Sequence, residues 1–149
     1  MPRPRLATGF SGPEESPGFL LWRVTNRWQA QQRAALKPFG LTHVQFALLA
    51  SLTWLASEEP VSQRRLAEHA ATDVMMTSQV LRSLERRGLV RRAPHPTDAR
   101  ARALTVTAQG RRLANRAVVA VEGCDRAFFA PLQGSADSFT GWLRRLADA

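Results

Sequence analysis

At 149 residues the chain fits one domain, long enough to bury a sizeable core and too short for two. A hydrophobic content of 44% without low-complexity tracts argues for a globular fold, and the single cysteine, Cys124, excludes an internal disulfide framework and fits a reducing cytoplasm. No apolar run approaches the roughly 20 residues of a membrane span, and the first 16 residues lack the apolar centre of a signal peptide, so a cytoplasmic location away from membranes is expected. The formal net charge is +9 and almost all of the positive charge is arginine, Lys37 being the only lysine. Arginine grips phosphate and guanine edges through a fork that lysine cannot copy, which suits a nucleic-acid partner. A GC-rich coding bias would give the same composition.

Residues 1–17 hold Pro2, Pro4, Pro13 and Pro17 with Gly9 and Gly12, and read as a disordered N-terminal tail without a role, the alternative being that Arg3 and Arg5 touch DNA or a partner subunit. In residues 18–40, Leu20, Val24, Trp28, Gln31 and Ala35 recur at helical spacing, Phe19 and Trp22 broaden the stripe, and Pro38 with Gly40 ends the helix. Thr42 and Gln45 form a capping box that opens a second helix to about residue 56, apolar nearly all round and therefore the expected centre of the domain. Ser62 caps a short third helix to about Ala70, with Val61 stapled onto Leu66.

The chain then turns through residues 70–72 into a helix over 73–87, capped by Asp73 or Thr72. Val74, Thr77, Val80, Leu81 and Leu84 lie at inward spacing, leaving Met75, Met76, Ser78, Gln79, Arg82, Ser83 and Arg86 to face out. Gly88 stops this helix and a β-hairpin follows, residues 89–92 and 102–106, around an exposed tip at residues 94–101. Seven arginines lie between Arg82 and Arg102 against only Glu85 and Asp98, which concentrates the charge on one helix and one hairpin. Two short helices joined by a tight turn, the second carrying polar and cationic residues outward, suit insertion into a major groove. Thr107 caps a fifth helix marked by Leu113, Ala117, Val121, Cys124 and Phe128, and Ser135 starts a last one with Phe139, Trp142, Leu143 and Leu146. The bulky residues at both ends suit pairing with a copy of the chain.

The expected fold is therefore mainly α with a small β-hairpin: a winged helix-turn-helix lobe over residues 41–106, with dimerisation helices over 18–40 and 107–149. The DNA-facing candidates are Arg64, Met75, Met76, Ser78, Gln79, Arg82, Arg86, Asp98, Arg100 and Arg102. For each arginine the plain alternative is a solvated surface; Arg91 and Arg92 point to opposite faces of a strand, so both should not reach phosphate. His43, His69 and His95 show no metal-ligand spacing to one another or to Cys124, so no metal or cofactor is expected. Trp22 and Asn26 on the first helix with His43 and Phe46 on the second are the candidates for a small-molecule crevice, the alternative being that these aromatics are core and dimer interface.

These residues together resemble the MarR (multiple antibiotic resistance regulator) family of winged-helix transcription factors, over about residues 19–147. The resemblance is carried by Leu41-Thr42 with Gln45-Phe46, by residues 61–68, by the run from Leu84 to Val90, and by Pro96, Thr97, Asp98 and Arg100 followed by residues 104–110. It implies a homodimer joined by terminal helices on a pseudo-palindromic double-stranded operator, with helix 73–87 in the major groove and Arg100 of the wing, oriented by Asp98, in the minor groove. It also implies release of DNA by a small aromatic or anionic ligand. One departure stands out: relatives often carry Arg-Ser-Thr early in the recognition helix, and this chain has Val74-Met75-Met76, so readout leans on apolar contact with thymine methyls and on Ser78, Gln79 and Arg82. The family's peroxide sensors place a cysteine near the first helix, where this chain has none, and Cys124 reads as core. A non-specific architectural DNA-binding protein is the alternative. An enzyme is not expected, because no nucleophile, base and orienting acid form a motif, no Gly-rich phosphate loop occurs and tyrosine is absent.

Overall fold

Pro17 sits at the first helical position, where its missing N–H costs nothing, and the Ser16 hydroxyl accepts from the Phe19 amide at 3.2 Å. In the computed structural model, which describes residues 6–55, 60–97, 100 and 102–149, helix α1 thus starts at Pro17, inside the stretch expected to be tail, after a 3-10 turn at Pro13–Glu15. Arg3 and Arg5 lie outside the described residues. Helix α1 (Pro17–Leu36) passes through a second 3-10 turn (Lys37–Phe39) to α2 (His43–Leu55), and the expected capping box forms: Gln45 N donates to Thr42 Oγ1 at 3.1 Å while Thr42 N donates to Gln45 Oε1 at 3.0 Å.

The chain continues through β1 (Val61–Ser62), α3 (Gln63–Ala70), α4 (Val74–Arg86), β2 (Val90–Pro94), β3 (Arg102–Val106), α5 (Ala108–Phe129) and α6 (Ala136–Ala147). The sheet has three strands in the order β1-β3-β2, all antiparallel, where a two-stranded hairpin was expected. Val61 and Ser62 pair with Leu104 and Ala103 along the free edge of β3, so the wing is stitched to the chain just ahead of α3. Two residues carry no period, which is why the third strand cannot be read from the sequence.

The core gathers Leu48, Leu49 and Leu52 of α2, Leu66 of α3, Leu81 and Leu84 of α4, Leu89 and Leu104 of the wing, and Ala117 of α5. Each fully buried leucine contributes about 1.5–3 kcal/mol. Helix α2 is not buried all round, however: Trp54 is 79% exposed. The apolar stripe of α1 also divides. Its buried residues are Gln32 and Leu36, while Leu20, Val24 and Gln31 stay exposed in the single chain, as does much of α6, including Trp142 and Leu146.

The chain leaving α4 packs tightly against the first turn of α5. Gly88 adopts φ +72°, a left-handed conformation that lets the chain leave α4. The Thr107 hydroxyl donates to the Gly88 carbonyl at 2.7 Å and accepts from the Gly110 amide at 3.0 Å, tying the exit of α4 to the start of α5. A Cβ on Gly110 would overlap the Leu89 carbonyl oxygen. Gly110→Ala should therefore cost about 1–3 kcal/mol, as overpacking does, seen as a lower urea midpoint; an unchanged midpoint would show that α5 can slide away from the sheet.

Candidate nucleic-acid interface

Helix α4 is held by one edge and open along the other. Asp73 is its cap, with Oδ1 accepting from the Met76 amide at 2.9 Å. The buried Thr77 hydroxyl donates to the Asp73 carbonyl at 2.7 Å, so the 2.7 Å contact between the Thr72 and Thr77 hydroxyls uses the Thr72 proton. Thr77, Leu81 and Leu84 are fully buried at helical spacing, and Val80 is half-buried beside them. Gln45 Nε2 reaches the half-buried Ser83 Oγ at 3.1 Å, so Ser83, expected to face out, instead ties α4 to α2.

The opposite edge presents Met75, Gln79, Arg82 and Arg86 to solvent, with Ser78 half-buried and Met76 38% exposed. Val74 is 61% exposed rather than inward, because the first turn of α4 projects past the core that covers Thr77. Arg82 folds back along its own helix, Nη2 lying 3.2 Å from Ser78 Oγ, which joins the two into one polar group. The leading end of this edge is apolar and its trailing end cationic.

The arginines of the wing divide by role. Arg91 is exposed, while the side chain of Arg92 is only 20% exposed, its Nε 3.4 Å from Glu85 Oε2 and its Nη2 donating to the Ser78 carbonyl at 3.4 Å. Arg92 is thus spent on holding β2 against α4, a role that strand alternation alone cannot reveal. Arg87 likewise donates to the Gly40 carbonyl at 2.8 Å. Arg100 is exposed in the turn and Arg102 is exposed at the start of β3, whereas Asp98 lies outside the described residues. Arg64 pairs with Glu68 at 3.1 Å, both largely exposed, an arrangement worth little to stability.

The second candidate site lies where α1, α2 and α5 meet. Trp22 and Asn26 sit on the exposed side of α1, His43 is half-buried and Phe46 is buried. The aromatic ring on His43 is Trp28, edge-on with centroids 4.9 Å apart. Asp125 Oδ1 accepts from Trp28 Nε1 at 2.7 Å and from Gln32 Nε2 at 2.6 Å, while the Oε1 of the fully buried Gln32 has no hydrogen-bond partner among the described residues. Sequence reasoning missed Trp28, Gln32 and Asp125 as a unit. Burial pushes the Cys124 thiol up and the neighbouring Asp125 carboxylate adds to this, which disfavours the reactive thiolate. Among the described residues no cluster of three or more His, Cys, Asp or Glu side chains could hold a metal ion, and no helix is long and apolar enough to cross a membrane.

A model of the MarR family matches residues 41–101. The chain is 46% identical over 122 residues to YdcH, an HTH-type transcriptional regulator of Bacillus subtilis, covering 81% of this chain and 83% of that one. Among solved structures, CouR from Rhodococcus jostii RHA1 bound to p-coumaroyl-CoA has a TM-score of 0.82 at 27% identity, covering 93% of this chain and 96% of that one. The Mycobacterium tuberculosis MarR family protein Rv2887 in complex with p-aminosalicylic acid has a TM-score of 0.69 at 33% identity, covering 88% and 98%.

Two outcomes follow from the geometry. Arg92→Ala should lower stability by about 1 kcal/mol whereas Arg91→Ala leaves the melting temperature unchanged; equal effects would remove the structural role given to Arg92. Burial lowers the His43 pKa below its ordinary 6.5, the Arg33 charge adds to this and Asp125 opposes it. The unfolded chain then binds the proton more readily, so this contribution to stability is complete above about pH 6.5 and is lost as pH falls through the lower folded value. His43→Gln should flatten that decline in urea midpoints measured from about pH 7.5 to about pH 5; an identical decline in the variant would assign it to other groups.

Proposed function

We propose that this chain, which belongs to the MarR family of DNA-binding transcriptional regulators, works as a homodimeric repressor on a pseudo-palindromic operator. In this reading α4 enters the major groove with Met75, Met76, Ser78 and Gln79 toward the bases and Arg82 and Arg86 toward phosphate. The wing reaches the adjacent minor groove through Arg100 and Arg102, with Asp98 orienting Arg100, and Arg64 touches the backbone. The observation that carries the reading is the division of α4 into a buried edge at Thr77, Leu81 and Leu84 and an exposed one at Met75, Gln79, Arg82 and Arg86. Such a division fixes the helix while leaving its reading edge free.

Dimerisation is supported by the apolar side chains left bare at both ends of the chain: Trp22 is 67%, Trp142 58% and Leu146 70% exposed. A second copy covering α1, the later turns of α5 and α6 would bury them. A small-molecule effector is supported by the ligands in the CouR and Rv2887 structures, which are p-coumaroyl-CoA and p-aminosalicylic acid. Its candidate contacts in this chain are Trp22, Asn26, His43 and Phe46, beside Trp28. A ligand that favours a dimer whose reading helices no longer match successive major grooves weakens operator binding by linkage. The regulator acts in the cytoplasm and needs no cofactor.

Competition with random duplex tests the reading. A promoter fragment holding the operator should be preferred by roughly a thousandfold or more; equal competition would instead support an architectural protein that coats DNA without sequence choice. Arg100→Ala should weaken binding and reduce the slope of affinity against salt by about one, and an unchanged slope would take that residue off the phosphates.

A further inference from the structure

A cavity of about 320 Å³ opens at the C-terminal end of α4, between the turn that follows α1, that end of α4 and the first turns of α5. Its cationic lining is Arg87, Arg112 and Arg116, with Gln109 beside them and Phe39 and Leu113 beneath. Among the described residues no acidic side chain lines it and none is ion-paired to any of the three arginines. Two of the three are nonetheless held in place by neutral groups. Arg87 donates to the Gly40 carbonyl at 2.8 Å, and the Arg116 guanidinium carbon lies 5.8 Å from the centre of the Phe39 ring. Arg112 and Arg116 stand one turn apart on the same face of α5, a like-charged pair that is unfavourable until an anion lies between them.

We propose that this cavity is a binding site for a small phosphate monoester. Guanidinium forks match phosphate oxygens, three of them match the charge of a dianion better than that of a single carboxylate, and Phe39 with Leu113 offers an apolar floor to the organic part. The volume lies at the small end of ligand pockets, so the molecule is metabolite-sized. The phosphate is that of a free ligand and not of the DNA backbone, because Arg87 turns to the Gly40 carbonyl and to the α5 arginines, whereas its neighbour Arg86 lies on the exposed edge of α4 given to DNA. The site joins three elements, since Phe39 follows α1, Arg87 ends α4 and Arg112 and Arg116 belong to α5. Its occupant therefore bears on how the reading helix is set against the terminal helices, and it does so apart from the candidate effector residues around His43.

Titration calorimetry at fixed ionic strength, with phenyl phosphate and benzoate as probes on the full chain, decides the matter. Phenyl phosphate should bind once per chain and benzoate about tenfold more weakly or less. The doubly substituted Arg112→Gln, Arg116→Gln protein should lose about tenfold or more in phenyl phosphate affinity while still unfolding in one cooperative urea transition, since both side chains are exposed, and Arg82→Gln should keep the affinity. No binding of phenyl phosphate, equal binding of benzoate, full affinity in the double variant or loss in Arg82→Gln would each overturn the site. The salt slope of DNA binding should be the same in the double variant and the parent; a shallower slope would show that backbone phosphate occupies the cavity and would overturn the assignment to a free ligand.

Discussion

The interface depends on the buried edge of one short helix. Thr77, Leu81 and Leu84 are fully inside, locked against a core to which α2 contributes Leu48, Leu49 and Leu52. A helix of 13 residues is marginal alone in water, so its position is owed to that packing and to the caps at its ends. The Asp73 side chain accepts an amide at its start, the Thr77 hydroxyl bonds back to the Asp73 carbonyl, and the left-handed Gly88 with Thr107 closes its end. With the edge fixed, the rotation of the helix is fixed too, and the side chains of Met75, Gln79, Arg82 and Arg86 have nowhere to point but outward.

The positive charge of this chain serves two purposes that composition does not separate. Arg87 and Arg92 hold structure, one bonded to the Gly40 carbonyl and the other set between Glu85 and the Ser78 carbonyl. Arg86, Arg91, Arg100 and Arg102 are exposed on α4 and the wing. Arg92 joins β2 to α4, and β1 ties the same sheet to the start of α3. In the reading proposed above, the apolar leading end of α4 leaves the salt-dependent share of DNA binding to the wing and the trailing arginines, since thioethers take no counterion's place.

Much of the fold is legible because its signals are local. The capping box at Thr42 and Gln45, the Ser62 and Thr107 caps and the stop at Gly88 each depend on residues three or four apart, and each forms. What was illegible depends on distance along the chain. Trp28 and Gln32 meet Asp125 across more than ninety residues, and neither periodicity nor composition encodes that meeting. The inward turn of Arg92 needs Glu85 on the adjacent helix, and β1 needs the free edge of β3. The exposure of Val74 and Trp54 has the opposite cause: both satisfy an apolar period but lie where the core has ended. At the candidate interface the outward row of α4 was readable from spacing, while Asp98 lies outside the described residues.

The central claim is that two copies of α4, presented by one dimer, read two half-sites. Its most direct measurement is a hydroxyl-radical footprint on duplexes selected from a random pool by the purified protein. The account predicts an inverted repeat protected at two centres about 10 base pairs apart, one helical turn. Selected duplexes without a dyad, or uniform protection along their length, would contradict it.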